Sequence, residues 1–335
     1  MTSQHLAEGT RCSVETQAAA TSLSAYVAEF RSVFAKEDFD ILPEHRKWDH
    51  AIELIPRVEP KSSKVYPLSP LEQVELNAFL EENLHTERIR PSKSPIAAPM
   101  FFIKKKDSLL CLVQDYHALN TITVKNRYLL PLISELISQL RGARYFTKLD
   151  VHWGFNNVCI KPGDEWKAAF RTNYGLFEPL IMFFGMTNSP ATFQTMMNDV
   201  FRTVIAEGIV VVYLDNILIF TKTEEEHERA VRRVLEILTE HKLFLCLEKC
   251  EFHQKQIEYL GLVISENKVA IDPVKVTGVH EWPILENRTD VQAFIGFINF
   301  YRRFIQDFST TARPLFNHTC SNQALELGYQ ETGSP

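Results

Sequence analysis

Apolar residues follow two rhythms along this chain, and the switch between them marks out its elements. The clearest stretch is Ile209 to Phe220, I-V-V-V-Y-L-D-N-I-L-I-F, where two β-branched and aliphatic runs flank the polar pair Asp215 and Asn216. That layout predicts two buried strands and a tight turn with Asp215 and Asn216 at its tip, because both side chains tolerate left-handed backbone. Tyr145 to Ile160 is a second strand-like run and carries a single acid, Asp150. Met100 to Lys105 and Leu109 to Gln114 read as the arms of a hairpin about Asp107-Ser108. Tyr259 to Ile264 reads as a further strand.

Elsewhere the period is helical. Ser69-Pro70 caps a helix with the stripe Leu71, Val74, Leu76, Phe79 and Leu80, ending near Asn83. Ser134 to Gly142 is a short helix closed by glycine. Ser189-Pro190 starts one that runs to about Glu207, with Phe193, Met196, Met197, Val200, Phe201 and Val204 inside. Glu224 to His241 buries Val231, Val234, Leu235 and Leu238 beneath a charged outer face. Pro273 to Trp282 and Asp290 to Phe308 follow; the aromatic run from Phe294 to Phe304 is crowded enough that helix packing and contact with a neighbour or a duplex both remain open. Residues 1 to about 30 lack a sustained period and read as a tail or poorly formed helix, and Ile41 to Tyr66 as an extended arm.

Strand, helix, strand, strand, helix, strand around Asp150 and Asp215 is a ferredoxin-like order, and it could bring the two acids onto one face of a sheet. Taken alone, the Asp215 stretch reads equally as an ordinary hairpin with a solvated turn. With 335 residues, 45% hydrophobic, the chain can bury a sizeable core in one to three domains. No apolar run reaches transmembrane length and the N-terminus shows no secretory signal, which leads to the expectation of an intracellular, cytoplasmic protein with no membrane partner. Six scattered cysteines suit a reducing compartment. Cys246, Cys250 and His253 lack the second ligand pair of a zinc finger, so half-buried thiols are the preferred reading. A net charge of −6 argues against a nucleic-acid binder in bulk, yet between Arg88 and Leu130 eight Lys or Arg face two acids. Charge is therefore segregated, as expected where one surface grips phosphates.

The residues also carry a family resemblance. S-P-I-A-A-P at Ser94 to Pro99, K-K-K-D at Lys104 to Asp107, Q-D-Y-H-A-L-N at Gln114 to Asn120 and F-F-G-M-T-N-S-P-A-T-F-Q at Phe183 to Gln194 occur in order around the Asp150 and Y-L-D-N segments. Y-L-G-L-V-I at Tyr259 to Ile264 and D-V-Q-A-F-I-G-F-I-N-F-Y-R-R-F-I at Asp290 to Ile305 complete the set. From about Phe34 to Phe316 the chain resembles the reverse transcriptase of gypsy-type LTR retrotransposons. The resemblance implies an α+β right-hand polymerase with fingers, a ferredoxin-like palm and thumb helices. The implied divisions are a disordered or weakly helical tail at 1–33, an N-terminal arm and helix at 34–84, fingers at 85–143, palm at 144–265 with fingers strands interleaved, thumb or connection helices at 266–316, and a divergent tail at 317–335.

It further implies RNA-directed DNA polymerisation by two-metal nucleotidyl transfer, with two Mg²⁺ ions or Mn²⁺ in their place, held by Asp150, Asp215 and the Val151 carbonyl. Lys105, Phe184 and Phe155 fall at nucleotide-binding positions, Phe155 where an aromatic gate excludes a ribose 2′-hydroxyl. Lys104, Lys106, Gln194, Leu260 and Gly261 fall at primer-template positions. The implied partners are an RNA or DNA template with primer, deoxynucleoside triphosphates, and ribonuclease H and integrase regions of the same polyprotein, in an element that assembles a virus-like particle. Three positions depart from the pattern: Asn216 replaces the hairpin's second Asp, Cys111 an arginine that clamps the triphosphate, and His117 a second arginine. These departures fit an impaired polymerase domain cut from a polyprotein, or a nucleic-acid-binding remnant without chemistry.

Overall fold

The computed structural model describes residues 25–35, 41–57, 66–104, 110–128 and 130–320. Most of the expected tails and the fingers turn with Lys105, Lys106 and Asp107 lie outside the described residues. Two compact units divide the chain at Lys255 and Gln256.

In the first unit residues 25–29 are helical and α1 (Arg31–Phe34) follows. Tyr26, Phe30 and Val33, spaced to share one helix face, are buried in the core. Within the expected disordered or weakly helical tail at 1–33, the described residues are thus helical and packed into the core. Helix α2 (Pro70–His85) starts as expected, with Pro70 in its first turn and a capping box between Ser69 and Glu72. Its inner face is Leu76, Leu80 and Asn83. Leu71 and Val74 are exposed, because the 3.6-residue period turns them away from the buried face, so the stripe read from the sequence was too wide.

Strand β1 (Ile89–Pro91) precedes the fingers hairpin of β2 (Met100–Lys104) and β3 (Leu110–Gln114), paired from Met100↔Gln114 to Lys104↔Leu110. Helices α3 (His117–Ile122) and α4 (Ile133–Gln139) lead to β4 (Tyr145–Asp150). That strand ends on Asp150, so Tyr145 to Ile160 is not one strand. Trp153 takes a left-handed φ of 45° and a 3₁₀ turn follows at Gly154–Asn157. Next come β5 (Phe170–Thr172) and β6 (Gly175–Pro179), which form a sheet of order β1-β6-β5 and so return this segment to the fingers strand β1.

Helices α5 (Ser189–Val200) and α6 (Arg202–Ala206) break only at Phe201 and bury all six inner-face residues read from the sequence. The hairpin of β7 (Val210–Tyr213) and β8 (Asn216–Thr221) leads into α7 (Glu224–Glu240), capped by Thr223 with three glutamates in its first turn, where the helix dipole favours them. Strand β9 (Glu251–Gln254) completes an antiparallel sheet of order β7-β8-β4-β9. With α5 and α6 between β4 and β7, and α7 between β8 and β9, the connectivity is ferredoxin-like. Its closing strand is β9 and not Tyr259–Ile264, and the compact unit ends at Lys255 instead of 265.

The reason is local to the second unit. Leu260 and Gly261 both take positive φ, a two-residue turn that folds β10 (Gln256–Tyr259) back onto β11 (Leu262–Ser265), which pairs with β12 (Lys268–Ile271). Helices α8 (Pro273–His280), α9 (Arg288–Phe300) and α10 (Phe308–Cys320) follow. Helix α10 continues past Asn317, where a divergent tail was expected. Trp282 packs on Phe294 and Phe297 at 5.3 and 5.2 Å, and Tyr301 on Phe297 and Phe300, so most of the aromatic run serves helix packing.

Candidate active site

Register decides what the palm hairpin presents. Tyr213 pairs with Asn216, which leaves Leu214 and Asp215 as the two turn residues. The expected tip of Asp215 and Asn216 is thus shifted by one: Asn216 is the first residue of β8, directly opposite Asp150. Leu214, not an Asp or Asn, takes the left-handed φ of 53°. This strained choice is held by Gln194, whose Oε1 accepts from the Leu214 N–H at 2.8 Å while its Nε2 donates to the Val212 carbonyl at 3.2 Å. Gln194 is fully buried. Placed by the resemblance among the primer-template residues, it fastens the turn that carries Asp215.

Asp150 is fixed from both sides. The Val151 N–H donates to the Asp215 carbonyl at 2.9 Å, and the Cys246 N–H donates to the Asp150 carbonyl at 3.0 Å. Because N–H and C=O of one strand residue point to the same edge, the Val151 carbonyl faces the Asp215 side. Burial raises the Asp215 carboxyl above its ordinary range, opposed by its own backbone N–H, and the charge of Asp150 raises it further. Asn216 Nδ2 donates to Asp215 Oδ1 at 3.0 Å, and Lys249 Nζ lies 3.3 Å from Asp150 Oδ1. Two acids therefore sit in a partly dry place with one ammonium beside them.

Next to the acids is an aromatic wall. The Phe155 ring lies 4.9 Å from that of Phe184 and meets Phe193 edge-on at 5.5 Å; Phe184 is exposed. Buried Gly154 lets this wall close on the hairpin, since a Cβ there would fall 2.9 Å from the Phe193 ring and 3.3 Å from Asp215 Cβ. Sequence reasoning passed over Gly154 and Lys249. The only signal for the first was a glycine between two aromatic residues four positions after Asp150, and for the second none.

On the fingers side, Lys104 is exposed at the end of β2. Cys111 pairs with Ile103 through its backbone. His117 bonds Asp115 through Nδ1 and its backbone N–H. Asn120 donates to the Gly185 carbonyl at 2.7 Å and accepts from the Thr187 N–H at 2.8 Å, and Asn188 donates to the Val124 carbonyl at 2.8 Å. These amides tie the segment after β3 to the loop that carries Phe184. In the second unit Leu260 and Gly261 form the turn described above, where a Cβ on Gly261 would lie 3.4 Å from Tyr301 Oη.

The weighed zinc trio has other partners: Cys250 donates to the Cys246 carbonyl at 3.2 Å and His253 bonds Tyr26 at 3.0 Å. Among the described residues one group of His, Cys and acid side chains converges, His45, Asp49 and Cys159. There His45 bonds Asp49 at 2.6 Å and Cys159 donates to the Pro43 carbonyl at 3.0 Å. Burial, with Asp49, pushes the Cys159 thiol up to about 11, in keeping with its role as donor to that carbonyl.

Residues 103–264 match the reverse transcriptase (RNA-dependent DNA polymerase) family. The Transposon Tf2-7 and Tf2-8 polyproteins of Schizosaccharomyces pombe are each 36% identical over 290 residues, 86% of this chain. The chain spans 22% of the length of these relatives. The foamy viral protease-reverse transcriptase superposes with TM-scores of 0.77 in complex with RNA/DNA hybrid and 0.80 in complex with ds DNA, each at 20% identity over 91% of this chain, covering 40% and 53% of the viral chains. The fold is that of a right-hand polymerase. Fold, motif order and relatives agree: the chain belongs to the reverse transcriptases of LTR retrotransposons.

Proposed function

We propose that this domain extends a primer on an RNA or DNA template from deoxynucleoside triphosphates, at the site formed by Asp150 and Asp215. One observation carries the reading: the register of β4 on β8 sets Asp150 opposite Asn216 and so beside Asp215 in the hairpin turn, where burial and the charge of Asp150 both raise the Asp215 carboxyl. A divalent cation relieves that repulsion. The donor set fits Mg²⁺, and Mn²⁺ after it, because all three candidate ligands, the Asp150 and Asp215 carboxylates and the Val151 carbonyl, are hard oxygens. When bound, such ions lower the pKa of a primer hydroxyl and neutralise a triphosphate.

The chain's own residues supply placement and selection. Gln194 fixes the turn that carries Asp215. Phe155, braced between Phe184 and Phe193, is the steric gate against a ribose 2′-hydroxyl. Lys104, with Lys105 and Lys106, contributes the charge that draws in phosphates; the neighbours seen with RNA/DNA hybrid and ds DNA support a duplex as ligand. Leu260 and Gly261 contact the primer end. Asn216 and Cys111 lower activity, by one carboxylate and one guanidinium respectively. Ribonuclease H and integrase regions in the same polyprotein and an intracellular particle belong to the same reading.

Primer extension on a homopolymer template with Mg²⁺ or Mn²⁺, run beside filter binding, tests it. The parent extends slowly; Asp150→Asn binds primer-template with unchanged affinity and does not extend. Extension undiminished in Asp150→Asn overturns the reading. Binding without extension in the parent under both metals favours the second reading, a nucleic-acid-binding remnant, for which the neutral Asn216 beside Asp215 is the supporting observation.

A further inference from the structure

We propose that Lys249 is a built-in counter-cation of the carboxylate pair, an ammonium that a divalent ion must displace and that therefore weakens metal binding at this site. The inference rests on the reading that Asp150 and Asp215 hold metal. Its basis is how Lys249 is placed. The Cys246 N–H is bonded to the Asp150 carbonyl at 3.0 Å, and a 3₁₀ turn at Leu247–Lys249 starts immediately after it. Within that turn the Lys249 N–H donates to the Cys246 carbonyl at 3.0 Å, the Cys250 N–H to the Leu247 carbonyl at 3.1 Å, and Cys250 Sγ to the Cys246 carbonyl at 3.2 Å. The lysine backbone is thus fastened to the backbone of the acid it neutralises.

The side chain then reaches Asp150 Oδ1 at 3.3 Å, with the lysine 65% exposed and the aspartate 16%. The ammonium thus takes one contact of a carboxylate that is otherwise mostly buried. With Asn216 neutral, two carboxylates and one ammonium leave a single net negative charge to receive dications. Lys249 supplies part of the positive charge that the carboxylate pair calls for. It is a positioning residue for Asp150 in the metal-free state and a competitor in the loaded one.

Direct titration of Mn²⁺ onto the full 335-residue chain without nucleic acid, read by the electron paramagnetic resonance of free Mn²⁺, tests this. Removing one positive charge at this distance from a half-buried site tightens a dication about tenfold. Lys249→Gln is therefore expected to bind Mn²⁺ about tenfold more tightly than the parent, Lys249→Arg as the parent does, and Asp150→Asn not at all. Unchanged or weaker binding in Lys249→Gln, with Asp150→Asn still abolishing it, overturns the role of Lys249 alone. Undiminished binding in Asp150→Asn overturns the metal reading beneath it.

Discussion

The same two strands, β4 and β8, bury polar groups toward both ends and treat them in opposite ways. Toward one end His227 sits between Thr147 and Thr221, its ring nitrogens 2.7 and 3.0 Å from the two hydroxyls, with His253 packed edge-on at 5.0 Å. Burial, with His253, lowers its pKa to about 3. At the other end Asp150 stands opposite Asn216 and beside Asp215, whose proton affinity is raised. The first group is neutral and its hydrogen-bonding capacity is met from within the sheet; the second keeps charges that oppose each other. Satisfied polar burial stabilises the sheet. Opposed charges at one end of the sheet cost stability and fit a ligand that cancels them.

The contrast breaks most sharply at Gln194, the buried amide on which the charged end depends. Gln194→Leu keeps the volume but strips a partner from the Leu214 N–H and the Val212 carbonyl, a loss of about 2–4 kcal/mol. Urea unfolding of the variant is expected to show that loss together with failure of primer extension. A variant that extends normally would show that the turn holds its left-handed Leu214 without this amide. Gly154→Ala comes next, at about 1–3 kcal/mol, because the new methyl meets the Phe193 ring and the Asp215 stem. Its sharper readout is discrimination: with the aromatic wall displaced, incorporation of ribonucleotides rises relative to the parent.

How much of this the sequence disclosed follows from range. The inner faces of α5 and α7 and the pairing of β2 with β3 were legible because local periodicity encodes them. The two acids were legible because each ends an apolar run. What was not legible depends on contacts distant in sequence. The turn moved by one residue because an amide 20 positions upstream holds Leu214 left-handed. β9 displaced Tyr259–Ile264 from the sheet because Leu260 and Gly261 turn the chain back on itself. Residues 25–33 joined the core through Tyr26, which stacks on Phe252 and bonds His253, and nothing in their own composition signals that partner.

The satisfied end is tested by acid. His227, with a folded pKa near 3 against 6.5 unfolded, favours the native state most above pH 6.5, and that contribution falls as the unfolded chain takes up the proton below it. His50, lowered to about 4 by burial and bonded to Thr192, adds a parallel loss. Each contributes a slope of at most about 1.4 kcal/mol per pH unit. Urea midpoints between pH 7 and 4.5 should fall accordingly, and His227→Gln, less stable at pH 7, should fall less steeply. Parallel profiles for parent and variant would mean that His227 is not buried in its neutral form.

The smallest effect tests the charged end. Asn216→Asp removes the donor to Asp215 Oδ1 and sets a second carboxylate directly opposite Asp150, where like charges on paired strands oppose each other. Because the residue is only half-buried, the cost is modest, about 0.5–1 kcal/mol without divalent ions. Millimolar Mg²⁺ should reverse the order: an ion that binds the folded site and not the unfolded chain stabilises by mass action, and the variant offers it one more carboxylate than the parent. Thermal melting of both proteins with and without Mg²⁺ measures the difference, with Lys249→Gln in the same series as a second route to a more negative site. If Mg²⁺ raises the melting temperature of parent and Asn216→Asp equally, the opposed charges at this end of the sheet are not there to hold a metal, and their repulsion needs another cause.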